Sequence, residues 1–131
     1  NTADDVKLAG FQARGGKLMF IHGLADPIFS ADEMVDYYQR LTAQNGPKTN
    51  AFARLFLVPG MAHCAGGAAT DSIDGLGSLV DWVEKGQAPQ SVPASGTAVY
   101  PGRTRPLCAY PQYAHYKGTG NPEDASNFSC R

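Results

Sequence analysis

Neither a run of basic side chains nor a long apolar stretch occurs in this sequence, and each absence removes a class of function. The 11 Lys and Arg are offset by 12 Asp and Glu, for a formal net charge of -1. With no cationic cluster to neutralise a row of phosphates, nucleic acid is not an expected partner. The longest apolar runs, residues 18–21 and 55–58, fall far short of the ~20 residues that cross a bilayer, so no membrane span is expected. No charged start with an apolar stretch and a small-residue cleavage site opens the chain, so an export signal is either absent or was removed before Asn1. Cysteine is scarce and odd in number. Three sulfurs form at most one internal disulfide and leave one free or bonded outside the chain. No internal repeat or low-complexity tract is present.

What remains is the composition of one globular domain: 131 residues, 43% hydrophobic, enough to bury a core. Residues 17–22, Lys-Leu-Met-Phe-Ile-His, form an almost wholly apolar run between Gly15-Gly16 and Gly23, the pattern of a strand buried on both faces. Ser30 followed by Glu33 is a capping box, Met34, Tyr38 and Leu41 recur at helical spacing, and Asn45-Gly46-Pro47 is a stop. A helix is therefore expected over residues 31–44. A second apolar run, residues 54–58, ends at Pro59-Gly60. The two runs lie roughly thirty residues apart with a helix between, too far for a hairpin, which predicts a parallel crossover and a β-α-β unit.

A further helix is expected over residues 71–85, with Asp71 as N-cap, Ile73, Leu76, Leu79, Val80 and Val83 on its apolar face, and Gly86 as its stop. Gly75 and Gly77 inside it lower its propensity. After Gly86 the composition shifts, since six of the nine prolines and four of the six tyrosines lie in residues 87–131 with little periodicity. This predicts an irregular tail. Cys108 and Cys130 bracket a loop within it of a size where a disulfide contributes about 3 kcal/mol, and these two are expected to be bonded. Two strands and two helices leave most sheet edges unpaired, so more protein is expected beside this chain.

Asp26 lies a few residues past the first strand and His63 just past the second, which puts both on the rim where open α/β folds collect ligands and catalytic loops. An Asp that accepts from imidazole fixes its tautomer and stabilises its charged form, while the other ring nitrogen takes a proton from a nucleophile. Taken singly, Asp26 also reads as a cap of the turn before Pro27 and His63 as a surface-loop histidine. The order strand, Asp, helix, strand, His favours the catalytic reading. No Gly-x-Ser-x-Gly elbow occurs, and Ser78 and Ser95 lack its flanking glycines. In α/β-hydrolases the order is Ser, Asp or Glu, His, so the nucleophile is expected upstream of Asn1 and this segment alone is expected to be inactive. His22 reads as a hydrogen-bonded core histidine, His115 as part of a surface aromatic cluster, and Trp82 as support for the histidine loop.

Four blocks carry a resemblance over nearly the whole chain: Gly15-Gly-Lys-Leu-Met-Phe-Ile-His-Gly-Leu-Ala-Asp-Pro27, Val58-Pro-Gly-Met-Ala-His-Cys64, Leu79-Val-Asp-Trp-Val-Glu-Lys-Gly86 and Thr104-Arg-Pro-Leu-Cys-Ala-Tyr-Pro-Gln-Tyr-Ala-His-Tyr-Lys-Gly118. The first indicates only some α/β-hydrolase. His followed by Cys, with Arg-Pro-Leu-Cys-x-Tyr-Pro, is more specific, and together they resemble the C-terminal part of the tannase and feruloyl esterase family. The resemblance implies an α/β fold, here the C-terminal portion of an α/β-hydrolase sheet. Its last β-α-β unit is followed by a helix and the disulfide-bonded tail, and the whole forms part of one catalytic domain. It implies that Asp26 and His63 are catalytic and that Cys64 pairs with a cysteine beside the serine, outside this chain. A free buried thiol is the plainer alternative for Cys64, and half a zinc site the weaker one, since no other His/Cys pair has ligand spacing.

The resemblance further implies a lid domain upstream, often with a structural calcium; no cofactor or metal is expected within these residues. Hydrolases of this kind often line the acyl pocket with the residue two past the Asp, which points to Ile28, although plain packing would also account for it. The expected activity is hydrolysis of small aromatic esters, feruloyl, galloyl or similar, by a secreted or periplasmic serine esterase, the compartment following from disulfide usage. Two rivals are a non-catalytic binding or structural subunit and a general esterase without aromatic preference. Intact Asp26 and His63 argue against the first.

Overall fold

The computed structural model describes residues 4–131. A short helix α1 (Ala9–Ala13) leads into strand β1 (Leu18–Gly23), helix α2 (Ala31–Asn45), a turn of 3₁₀-helix and strand β2 (Ala53–Val58). β1 and β2 pair in parallel, Leu18 against Ala53 through Gly23 against Val58, which is the expected β-α-β unit. The α2 boundaries follow its local chemistry. Ser30 caps it, but its hydroxyl accepts from the Asp32 N–H at 3.2 Å rather than from the Glu33 N–H of the expected box. Gly46, with φ 59°, closes it in a conformation that costs glycine little.

β2 is the hub of the core because its side chains alternate between two clusters. Ala53 and Leu55 pack with Tyr38, Leu41 and Phe52 under α2, while Phe56 and Val58 pack with Met61, Val92 and Leu107. β1 departs from expectation: Leu18 to His22 are half-buried rather than buried on both faces. β2 is flanked on both edges, by β1 and by the tail through a Phe56–Ala109 bridge and a Tyr110 N–H bond to the Leu55 carbonyl. β1, among the described residues, pairs with β2 alone.

Two further expectations are corrected. The second long helix, α3, spans Gly75–Lys85 and is capped by Asp74, whose carboxylate accepts from the Gly77 N–H at 2.9 Å, and not by Asp71. The residues before it form a short strand, β3 (Ser72–Ile73). Its expected apolar face is largely open, with Leu76 75% and Val83 60% exposed, while Trp82, off that stripe, is buried. The Arg54 and Lys17 cations face the Trp82 ring at 5.3 and 5.5 Å.

The tail is likewise not irregular. It forms β4 (Ser91–Ser95) and β5 (Thr104–Cys108), which with β3 make an antiparallel sheet in the order β3-β4-β5, then a hairpin of β6 (Ala114–Tyr116) and β7 (Phe128–Cys130). Prolines hide these strands from a sequence reading because they remove ladder donors. Pro93 and Pro106 face one another in the β4–β5 register, so their missing donors fall on one rung. The expected Cys108–Cys130 disulfide is present and ties β5 to β7. Replacing both cysteines by serine is expected to destabilise the fold by about 2–5 kcal/mol, read as a lower urea midpoint; an unchanged midpoint would mean that hairpin and β4–β5 packing hold the tail without it.

Candidate active site

β1 and β2 run in the same direction, so the loops after them leave from the same rim. Gly23 lets these loops touch: a Cβ there would run into the Met61 and Ala62 carbonyl oxygens. The Ala25 N–H bonds the Met61 carbonyl at 3.0 Å, and the Leu24 N–H bonds that of Val58 at 3.0 Å. The first loop is thereby stitched to the second.

Across that seam His63 Nδ1 lies 2.9 Å from Asp26 Oδ2. Asp26 Oδ1 accepts the N–H groups of Ile28 at 2.8 Å and Phe29 at 3.1 Å. The turn-cap reading and the histidine-partner reading of Asp26 thus hold together, one on each oxygen. The Asp26 side chain is 5% exposed and that of His63 40%. Desolvation pulls the Asp26 carboxyl upward, but the hydrogen bonds from His63, Ile28 and Phe29 and the attraction of the imidazole outweigh it and hold the group at about 2. An ionised carboxylate only accepts, so the proton of the neutral ring sits on Nδ1 and Nε2 keeps its lone pair. Nε2 has no hydrogen-bond partner among the described residues.

The histidine loop has a clamp that a sequence reading misassigns. Asp71, expected as a helix cap, instead accepts from the Gly66 N–H at 3.0 Å and from the Thr97 hydroxyl and N–H at 2.7 and 3.3 Å. Those bonds, Thr97 first and then Gly66, hold its carboxyl below the usual range. Cys64, next to His63, is exposed, has no disulfide partner among the described residues, and sits in the left-handed region, φ 63°.

A cleft of about 450 Å³ opens in front of the pair, walled by Phe29, Met34, Tyr37 and Met61, with Glu33 at its edge and Asp26, His63 and Cys64 on its floor. The Phe29 ring lies 5.3 Å from that of His63. Ile28 is 64% exposed and does not line this cleft, whereas its neighbour Phe29 does. Another cavity of equal volume, between β5 and the β6–β7 hairpin, holds neither Asp26 nor His63. His22 is hydrogen-bonded, as expected, to the Phe29 carbonyl. The His115 ring lies tilted 6.5 Å from that of Tyr113 and does not line the cleft. Among the described residues no cluster of three or more His, Cys, Asp or Glu is placed to hold a metal.

The chain is 53% identical to mono(2-hydroxyethyl) terephthalate hydrolase of Piscinibacter sakaiensis across 98% of its own length and 22% of that protein's. It is 37% identical to a probable feruloyl esterase B of Aspergillus clavatus, over 96% of this chain and 28% of that protein. The crystal structure of feruloyl esterase B from Aspergillus oryzae superposes with a TM-score of 0.87 at 29% identity, covering 98% of this chain and 29% of that one. The chain thus spans about a quarter of the length of the proteins it matches. The family model described as tannase and feruloyl esterase matches residues 2–131, and the chain belongs to that family.

Proposed function

We propose that this chain is the C-terminal portion of the catalytic domain of a serine carboxylic ester hydrolase for small aromatic esters, and that it supplies the acid and base of a Ser-His-Asp triad. The observation that carries the reading is the 2.9 Å contact of Asp26 with His63 at the floor of an aromatic-walled cleft. The serine, on a preceding segment, attacks the ester carbonyl carbon while its proton passes to His63 Nε2. The tetrahedral intermediate collapses as the protonated Nε2 returns a proton to the leaving alcohol. Water then repeats the sequence on the acyl-enzyme and releases the acid. Asp26 holds the ring and stabilises its cation throughout.

Cys64 is assigned to a disulfide with a cysteine beside that serine, which would clamp the two catalytic loops together. Ile28 is kept as a substrate contact because its open side chain stands on the rim beside Phe29. The calcium implied by the family belongs to the lid domain, and no residue of this segment is assigned to it. The Cys108–Cys130 disulfide supports an oxidising compartment, secreted or periplasmic.

Hydrolysis of methyl ferulate, methyl gallate and an aliphatic methyl ester of similar size by the full-length polypeptide tests the reading. The aromatic esters are expected to show kcat/KM higher by roughly tenfold or more. Equal rates would make it a general esterase, and no hydrolysis of any would make it a binding subunit. Disulfide peptide mapping of the unreduced polypeptide should link Cys64 to the peptide bearing the serine; a free thiol there would sink the clamp.

A further inference from the structure

Asp26 follows β1 in a rim turn, and rim loops are the parts of a fold least held by core packing. Beside the backbone bonds of the loop, two side chains tie the turn from residue 26 to 29. The first is its own: Asp26 Oδ1 gathers the N–H groups of Ile28 and Phe29. The second comes from the sheet. His22 Nε2 lies 3.2 Å from the Phe29 carbonyl oxygen, at the far end of the turn. A carbonyl only accepts, so the proton of His22 sits on Nε2. His22 is held in the β1–β2 register opposite Leu57, and its side chain is 12% exposed. The same Nε2 stands 3.9 Å from Asp26 Oδ2, beyond hydrogen-bonding distance.

We infer that His22 is a positioning residue for the esterase site. By donating to the Phe29 carbonyl it fixes the turn from residue 26 to 29, so that Asp26 Oδ2 faces His63 Nδ1 and the Phe29 ring stays against the His63 ring. The inference rests on the triad reading. Its Nε2 carries a proton already engaged by a carbonyl, so that nitrogen has no lone pair to take one from a nucleophile. Loss of the tie acts on orientation. Displacing a catalytic partner by about 1 Å costs up to roughly a hundredfold in rate, whereas the cleft walls Met34 and Tyr37, on α2, and Met61, in the loop after β2, lie outside the turn that His22 ties.

The test uses the full-length polypeptide with His22→Leu, which removes the donor, and His22→Gln, whose amide can still donate to the same carbonyl but cannot act as a base. His22→Leu is expected to lower kcat tenfold to a hundredfold with KM changed less than about threefold, and to weaken or abolish the downfield proton resonance of His63 Nδ1–H in its bond to Asp26. His22→Gln is expected to keep the resonance and stay within about threefold of the original kcat, as the geometry alone requires. Should the leucine variant fail to fold, His22→Asn, polar but too short to reach Phe29, replaces it with the same expectation. Unchanged kcat and resonance in His22→Leu or His22→Asn would overturn the inference. A His22→Gln variant as inactive as His63→Ala would also overturn it, by giving the imidazole a direct part in proton transfer. If the triad reading itself fails, so that His63→Ala keeps its activity, the resonance still reports whether His22 sets the Asp26–His63 contact.

Discussion

His63→Ala in the full-length polypeptide is expected to lower kcat on aromatic methyl esters by on the order of 10⁴ to 10⁶, with near-UV circular dichroism unchanged. The size of the effect follows from what the ring does: it removes the serine's proton in one half-reaction and returns it to the leaving group, so no other group compensates its loss. The fold should survive because the side chain is 40% exposed and its hydrogen bond lies on the rim, outside both core clusters. Activity within tenfold of the original would remove His63 from the mechanism, since an oxyanion hole and substrate binding alone leave only a small residual rate.

Asp26→Asn is expected to cost about 10⁴ in kcat for a different reason. The introduced amide can keep the bonds from Ile28 and Phe29 through its oxygen, but it presents an N–H to His63 Nδ1. The ring then turns its lone pair to Nδ1 and its proton to Nε2, the wrong tautomer for a base. Near-original rates would reduce Asp26 to a turn cap. The acid side of the pH profile separates the two residues. With the Asp26 carboxyl at about 2 against an ordinary 3.8, the group stays ionised throughout the range above about pH 4, so an acid limb of kcat/KM in that range belongs to another group. The same depression sets a stability window. As pH falls from about 4 to 2 the unfolded chain takes up this proton before the folded one does. Asp26 therefore contributes stability that is fully present above 3.8 and is lost as pH falls through about 2. Urea midpoints of the original protein and Asp26→Asn should converge over that interval; a constant gap would place the depression elsewhere.

Much of the scaffold is legible in the order of residues alone. The runs at 17–22 and 54–58, the Ser30 cap and the Asn45-Gly46-Pro47 stop are local signals, and local signals act through neighbours a few residues away. They place β1, α2 and β2 within a residue or two of their observed bounds, Leu18–Gly23, Ala31–Asn45 and Ala53–Val58. Once the two strands are parallel, the loops carrying Asp26 and His63 must share a rim, so their proximity is also readable. The tail is not. Its strands pair with partners distant in sequence, Ser91 with Cys108 and Ala114 with Cys130, and its prolines mask the alternation that a strand normally displays.

The sequence by itself determined the β1-α2-β2 order, the family and which Asp and His could meet, because apolar period, caps, breakers and motif blocks are written along the chain. Tertiary structure decided which acceptor each polar group found. Asp71 reads as the cap of the second long helix in one dimension; folding gives α3 to Asp74 and brings Thr97 to Asp71, turning it into a clamp on the histidine loop. Leu76 and Val83 look like core and stand open, while Trp82 is buried between cations from two other segments. His22 reaches the Phe29 carbonyl only because the turn after Asp26 folds back over the end of β1. A carboxylate, an indole or an imidazole accepts any partner of the right chemistry, and only the three-dimensional path of the chain selects one.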